Sequence, residues 1–189
     1  LDPCAGEGTA LVTLAEKLGL EPFGVELHEG RAKAAREAVG QLLISRHGSD
    51  KGDATTAHGT RILHDSYLSL VTSRGGYNLL YLNPPYDHDD EDGRLEYQWL
   101  VNTRPWLQPG GLLVWVVPQH LLRFRKATRY ILSWYDRVQI FRFPDEEYER
   151  FKQIVLFGVL RPKAIAPDGE MVERVAQLAA GKEMLLPLT

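Results

Sequence analysis

The sequence contains one cysteine, Cys4, among 189 residues. A single thiol excludes an internal disulfide and any zinc cluster built from several cysteines. Long apolar runs are also absent, and no stretch approaches the roughly 20 residues that cross a bilayer. No secretory signal is visible either. We therefore predict a cytoplasmic protein that does not bind a membrane.

A positive net charge is missing as well. The chain has 22 Lys and Arg against 25 Asp and Glu, a formal net charge of −3, whereas an independent nucleic-acid binder usually has a basic footprint. The apolar content of 44% suffices for one compact core. We predict one main domain over residues 1–162, with a C-terminal tail, residues 163–189, packed on or beside it.

Strand-like apolar runs alternate with helical segments along most of the chain. This alternation predicts a doubly wound α/β domain whose mostly parallel sheet is covered on both faces. Two later strand runs, residues 137–144 and 152–162, have no helix between them in this interpretation and predict an antiparallel hairpin. Too few residues precede the first turn to form a full strand, so we expect the first strand to be truncated in this chain. The other strands are expected at residues 22–27, 61–65, 77–82 and 112–118.

Four short motifs fall where predicted strands end. In an open parallel sheet, ligands bind at the carboxyl ends of the strands. Gly6 and Gly8 let a ligand approach the backbone at a helix N-terminus, although such a turn can equally be structural. The spacing matches neither a GxGxxG fingerprint nor a P-loop. In chain order, the motifs are DPCAGEG, GVEL, HDSY and NPPY.

Polar side chains in the second and third motifs suit a nucleoside. Glu26, at the end of the second strand, can accept the two hydroxyls of a ribose, although an ordinary strand-end glutamate is the competing interpretation. Asp65 and Ser66 suit the amino edge of an adenine, with Tyr67 beside them.

In this order and spacing, the motifs resemble those of class I S-adenosylmethionine-dependent methyltransferases, and among them the amino-methyltransferases that act on planar sp² nitrogen. The resemblance runs from Leu1 to about Pro162 and includes the closing hairpin. It implies that residues 1–162 are a methyltransferase domain and that Asp2 orients the methionine end of S-adenosylmethionine, directly or through water. The implied cofactor-binding residues are Asp2, Cys4, Ala5, Gly6, Glu7, Gly8, Glu26, Leu27, Asp65, Ser66, Tyr67 and Asn83.

The NPPY motif is the most specific of the four, and its catalytic residues would be Asn83, Pro84, Pro85 and Tyr86. An amino group conjugated to a ring is a poor nucleophile. If the Asn83 side-chain oxygen and the Pro84 carbonyl accept its hydrogens, its lone pair can point at the methyl group. The prolines fix both acceptors, and Tyr86 can stack on a planar target. The competing interpretation is a stiff turn after a buried strand.

Three further features are less specific. Tyr148 or Phe151 could bind the other face of a substrate base, although a core aromatic is an equal alternative. Cys4 is interpreted as a small packing residue rather than a covalent nucleophile. The acidic run at residues 87–92 is interpreted as solvated, so no metal site is predicted, and its charge would repel phosphates.

The predicted function is methylation of adenine N6 in DNA. The alternatives are an RNA base amine, a protein glutamine amide, or a non-catalytic cofactor-binding partner of another protein. The expected partner is a nucleic acid, with DNA favoured over RNA. Because the chain is acidic overall, recognition would require a subunit or domain outside it.

Overall fold

The computed structural model describes residues 1–47, 61–85, 95–181 and 184–188. The chain divides into two compact units, Leu1–Thr72 and Ser73–Thr189. Within the described residues, the first unit holds a two-stranded sheet and the second a four-stranded sheet. The predicted boundary between residues 162 and 163 stays a prediction.

The first unit alternates helices and strands as the sequence predicts. Strands β1 and β2 pair in parallel, with Gly24 opposite Ile62 and Glu26 opposite His64. On the other side of β1, Asp2 forms a parallel bridge with Gly24. The elements of this unit are helix α1 (Thr9–Leu18), β1 (Gly24–Glu26), helix α2 (Glu29–His47), β2 (Ile62–His64) and a 3₁₀ turn (Tyr67–Ser69).

Helix α2 supplies much of the core of the first unit. Its fully buried side chains recur at helical spacing and include Ala35, Val39 and Leu43, which pack with Leu11 of α1 and Ile62 of β2. Near its end, the Arg46 guanidinium donates to the carbonyl oxygens of Leu20 (2.7 Å) and Ala15. Arg46 therefore connects the end of α2 to the C-terminal end of α1.

The second unit has the strand order β3-β4-β6-β5. Strands β3 and β4 are parallel, and β6 is antiparallel to both β4 and β5. The elements are β3 (Tyr77–Leu82), α3 (Leu95–Thr103), β4 (Leu107–Pro118), α4 (Arg125–Trp134), β5 (Tyr135–Arg142), α5 (Asp145–Phe151), β6 (Gln153–Leu160) and α6 (Gly169–Ala179), with 3₁₀ turns at Arg104–Trp106 and Gln119–Arg123.

The predicted hairpin is confirmed, with one correction. Strands β5 and β6 are antiparallel neighbours, with Phe141 opposite Val155. The prediction that no helix separates them is wrong, because the seven-residue helix α5 connects them. Pro144 is the N-cap residue of this helix, which begins at Asp145.

Strand β4 is buried on both faces. Val114 and Val116 pack on one face with Val155, and the alternating residues Trp115 and Val117 are fully buried on the other. Such a near-continuous apolar run is what a strand covered on both faces requires.

No helix among the described residues is long and apolar enough to span a membrane.

Candidate functional site

The two glycines of the first turn have different surroundings. Gly6 has φ +56°, and a Cβ added there would meet nothing within 4 Å, so the space beside it is open. Gly8 has φ +86°, and a Cβ there would lie 3.0 Å from the Ala35 Cα. Its N–H already donates to the Ala5 carbonyl at 2.9 Å. The open space at Gly6 suits a ligand, whereas Gly8 allows helix α2 to pack closely on the turn.

Glu26 is buried, with 5% of its surface exposed. Its Oε2 accepts a hydrogen bond from the Gly6 N–H at 2.9 Å, and its Oε1 accepts one from the His28 N–H at 2.8 Å. The Arg31 guanidinium also binds Oε1, with Nη2 at 2.9 Å. A carboxylate oxygen has two acceptor sites, so Oε2 can take a further hydrogen from a ribose hydroxyl.

The adenine-edge residues lie beside Glu26. The Asp65 N–H donates to the Glu26 carbonyl at 3.2 Å, which continues the pairing of β1 and β2. The Asp65 Oδ1 accepts a hydrogen bond from the Ser66 N–H at 2.6 Å. Leu27, next to Glu26, is 70% exposed and offers an apolar surface at this edge. Tyr67, half-buried, begins the 3₁₀ turn that follows.

Asp2 lies at the start of the turn that contains Gly6 and Gly8, and it is almost fully buried. Its backbone bonds to both Phe23 and Val25 at 2.9 Å, and its Oδ1 accepts a hydrogen bond from the Cys4 N–H at 3.0 Å. Burial raises the pKa of Asp2 to about 7, and the hydrogen bond from Cys4 opposes this shift. Ala5 is buried, Cys4 is half-buried and Glu7 is exposed.

The first unit thus offers a carboxylate, a second carboxylate with a spare acceptor site, an open glycine and an exposed leucine. An ammonium, a ribose diol and an adenine ring are the matching groups of S-adenosylmethionine. These residues therefore fit the cofactor that the resemblance implies. The assignment of each residue to the cofactor stays a prediction.

A pH dependence follows if Asp2 receives the cofactor ammonium. An ionised carboxylate attracts the ammonium and a protonated one does not, so affinity should rise with pH towards the pKa of about 7. Between pH 5.5 and 7, Asp2 ionises while the α-amino group of the cofactor stays charged. We therefore expect S-adenosylmethionine to bind about tenfold more tightly at pH 7 than at pH 5.5. Calorimetry at several pH values measures this change. Asp2→Asn should flatten the profile, and a wild-type affinity independent of pH would contradict the assignment.

The NPPY corner begins where β3 ends, in the second unit. Asn83 is exposed, Pro84 is buried and Pro85 is exposed. The buried proline anchors the turn, while the residue before it faces solvent at the carboxyl end of a parallel strand. Tyr86 and the acidic run at residues 87–92 lie outside the described residues. Within the described residues, no group of three or more His, Cys, Asp or Glu could hold a metal ion.

Tyr148 and Phe151 lie on α5, which precedes β6 at the edge of the sheet where β4 ends, since Pro118 pairs with Gln153. The Tyr148 hydroxyl donates to the Gln119 Oε1, and the Lys152 ammonium lies 4.7 Å from the centre of its ring. Tyr148 is therefore held by neighbours. Phe151 is 52% exposed, which leaves its ring the more accessible of the two.

Sequence analysis did not identify two residues that contact the predicted site residues. Arg31 binds Glu26 from the first turn of α2, and a basic residue shortly after a strand-end acid was the available signal. Gln119 joins Tyr148 to helix α6, since its Nε2 donates to the Leu178 carbonyl at 2.8 Å. That contact spans 59 positions, and no local pattern predicts it.

The model of one protein family, described as "Uncharacterised methyltransferase family (DUF6094)", matches residues 1–186. A comparison with curated proteins found no match. Several solved structures are similar to this chain.

A protein from Listeria monocytogenes, assigned to the class I S-adenosylmethionine-dependent methyltransferases, has a TM-score of 0.61 at 14% identity, over 98% of this chain and 56% of its own. The M protein of the type I restriction enzyme EcoKI has 0.57 at 18% identity, over 87% of this chain and 41% of its own. An RNA methyltransferase from Salinibacter ruber, in complex with S-adenosyl-L-homocysteine, has 0.52 at 14% identity, over 87% of this chain and 81% of its own. This chain thus spans only part of the first two proteins. The similarities confirm the predicted α/β fold class.

Proposed function

Because the chain belongs to the methyltransferase family whose model matches residues 1–186, we propose that it methylates an exocyclic amino group of a nucleic-acid base, with adenine N6 of DNA as the first candidate. Family and fold make it an S-adenosylmethionine-dependent methyltransferase, as predicted for both enzyme class and cofactor. The substrate, the partner and the residue roles are the proposed part.

S-adenosylmethionine supplies a methyl group activated by a sulfonium. In our proposal, Asp2 attracts the ammonium of the cofactor, Glu26 accepts from its ribose, and Asp65 with Ser66 contacts the edge of its adenine. Gly6 leaves room for the ligand. The spare acceptor site on the Glu26 Oε2 supports this assignment, since Oε1 already has three donor atoms within 3.1 Å.

The observation that carries the proposed target is the exposed Asn83 in front of a buried Pro84. An amide oxygen and a proline carbonyl can each accept one hydrogen of the target amine. Holding both in one geometry directs the nitrogen lone pair without a general base. A flexible loop would lose this advantage, because the acceptors would have to be ordered in every turnover.

DNA is preferred among the targets because the similar M protein of EcoKI belongs to a restriction enzyme. The NPPY resemblance supports an amino group as the target but does not separate DNA from RNA or glutamine. An RNA base is the second candidate, since a similar structure is an RNA methyltransferase. The net charge of −3 leaves the chain without a basic footprint, so a separate subunit or domain would supply much of the DNA affinity.

A methyl-transfer assay with labelled S-adenosylmethionine tests the proposal. DNA, RNA and protein fractions would be offered in parallel, and hydrolysed products would be analysed for N6-methyladenine. Label in DNA as N6-methyladenine is the expected result. Label confined to RNA or to glutamine would refute the DNA assignment, and cofactor binding without any transfer would favour the non-catalytic alternative.

Tyr86 provides a test of the planar target. If its ring stacks on a base, Tyr86→Ala should lose about 1 to 3 kcal/mol of target affinity, whereas Tyr86→Phe and Tyr86→Trp keep an aromatic face and should retain most activity. Target affinity and melting temperature would be measured on all three variants. A buried structural Tyr86 gives another pattern, because Tyr86→Trp would overpack the site and lower the melting temperature. Activity that follows stability would exclude the stacking role.

A further inference from the structure

A cavity of about 620 Å³ lies along strand β5, wholly within the second unit. Its lining runs from Tyr135 to Ile140 on β5 and continues on helix α6 and on residues 184–186. The NPPY corner follows β3, and strands β4 and β6 lie between β3 and β5. Within this unit, the cavity is therefore separate from Asn83.

Strand β5 is the outer strand of the sheet, and it already accepts an added extended segment. The Arg142 N–H donates to the Leu186 carbonyl at 3.0 Å, and the Leu188 N–H donates to the Arg142 carbonyl at 2.9 Å. This contact involves a single residue of β5, because Arg142 and Pro187 form an isolated bridge. The edge of β5 can thus be extended by backbone pairing.

Ile140 lines the cavity, and its N–H and C=O face away from β6. The Phe143 N–H donates to the Gln153 carbonyl on the β6 side at 3.1 Å, whereas Arg142 bonds away from β6. Alternate residues of an antiparallel strand turn their N–H and C=O to the same side, so Ile140 faces the same way as Arg142. Within residues 95–181 and 184–188, no backbone group bonds to Ile140 on that side.

The charges around the cavity favour an acidic ligand. Asp136 pairs with the Arg161 Nη2 at 3.0 Å, and Asp168 caps α6 by accepting from the Glu170 N–H at 2.9 Å. Both carboxylates are thus engaged. The ion pair with Asp136 also compensates the charge of Arg161. Arg137 is exposed and forms no ion pair among the described residues, so its positive charge would complement a carboxylate.

The rest of the lining is mainly apolar, and part of it is exposed. Met171 is 44% exposed and Ile165 is 45% exposed, although both line the cavity. Val175 and Leu185 form buried parts of the same lining. A covering apolar side chain would remove this surface from water.

We propose that the cavity binds an extended peptide of a partner protein, which adds as a strand to β5 at Ile140. Its backbone pairs with Ile140, an apolar side chain fills the cavity, and an acidic residue binds Arg137. Strand addition combines backbone affinity with side-chain specificity in this way. A second copy of this chain is a poorer occupant, because its apolar segment 184–188 carries no acid and is already paired with Arg142.

A library of random twelve-residue peptides displayed on phage would test the proposal, with the whole chain immobilised. We expect enrichment of peptides that alternate apolar residues and carry Asp or Glu. Arg137→Glu should weaken the best peptide at least fivefold, and the matched control Arg74→Glu, an exposed arginine outside the cavity, should leave its affinity unchanged. Ile140→Pro should weaken it at least tenfold, since proline removes the outward N–H and is tolerated on an edge strand.

Backbone methylation makes the test independent of how well Ile140→Pro folds. An added strand pairs through alternate residues, so methylating the amides of one set should abolish binding to the wild-type chain, while methylating the other set should not. Three outcomes would overturn the proposal: no enrichment over an unrelated protein, binding that tolerates methylation of either set, or self-association that competes with the peptide.

Discussion

Asn83→Ala should slow the methylation step by roughly 10² or more, the effect of deleting one preorganised polar group. S-adenosylmethionine affinity should stay within a few-fold of wild type, because the proposed ammonium and ribose contacts belong to Asp2 and Glu26. Single-turnover measurement with labelled cofactor separates the chemical step from binding and release. The first substrate to use is the one that the methyl-transfer assay identifies.

Asn83→Asp is the matched control for Asn83→Ala. It keeps an oxygen acceptor of the same shape but adds a negative charge, so it should retain cofactor binding and part of the rate. Because Asn83 is exposed, neither substitution should lower the melting temperature much. A single-turnover rate near wild type for Asn83→Ala would refute the proposed role of the amide oxygen.

Local patterns predicted the elements whose own residues determine them. The run at residues 77–82 is apolar and bounded by polar neighbours, and β3 has the same bounds. Strand β4 begins at Leu107, earlier than the predicted residue 112, and includes Pro109, Gly110 and Gly111. Pairing of Leu107 with Tyr77 extends a strand through residues that do not favour it. A contact 30 positions away along the chain cannot be inferred from local propensity.

The candidate site follows the same division. The acidic residue at the end of a predicted strand was found, since Glu26 occupies that place and its neighbours bring Asp65 beside it. The sequence did not predict that close packing requires a glycine at position 8, because this depends on the backbone of Ala35 in helix α2. Likewise, Tyr148 is held by the hydrogen bond that its hydroxyl donates to Gln119, which follows a different strand. Side-chain availability therefore had to be read from tertiary contacts.

Glu26→Ala should weaken S-adenosylmethionine binding by about one to two decades, because a hydrogen bond to a charged group contributes roughly 1.5 to 3 kcal/mol. The same substitution leaves the N–H groups of Gly6 and His28 without their acceptor, so it should also lower the melting temperature. Calorimetry would therefore be done well below the melting transition of the variant.

Arg31→Ala separates these two effects of Glu26. The Arg31 side chain is 55% exposed but the Glu26 side chain is only 5% exposed. Removing Arg31 should therefore cost some stability, yet cofactor affinity should fall far less than in Glu26→Ala. It leaves the carboxylate and both backbone donors in place. If Glu26 binds the ribose, affinity falls with Glu26→Ala and persists with Arg31→Ala. Unchanged affinity in Glu26→Ala would remove Glu26 from the cofactor site. Equal losses in both variants would mean that the ion pair, rather than a bond from Glu26 to the ribose, sustains cofactor binding.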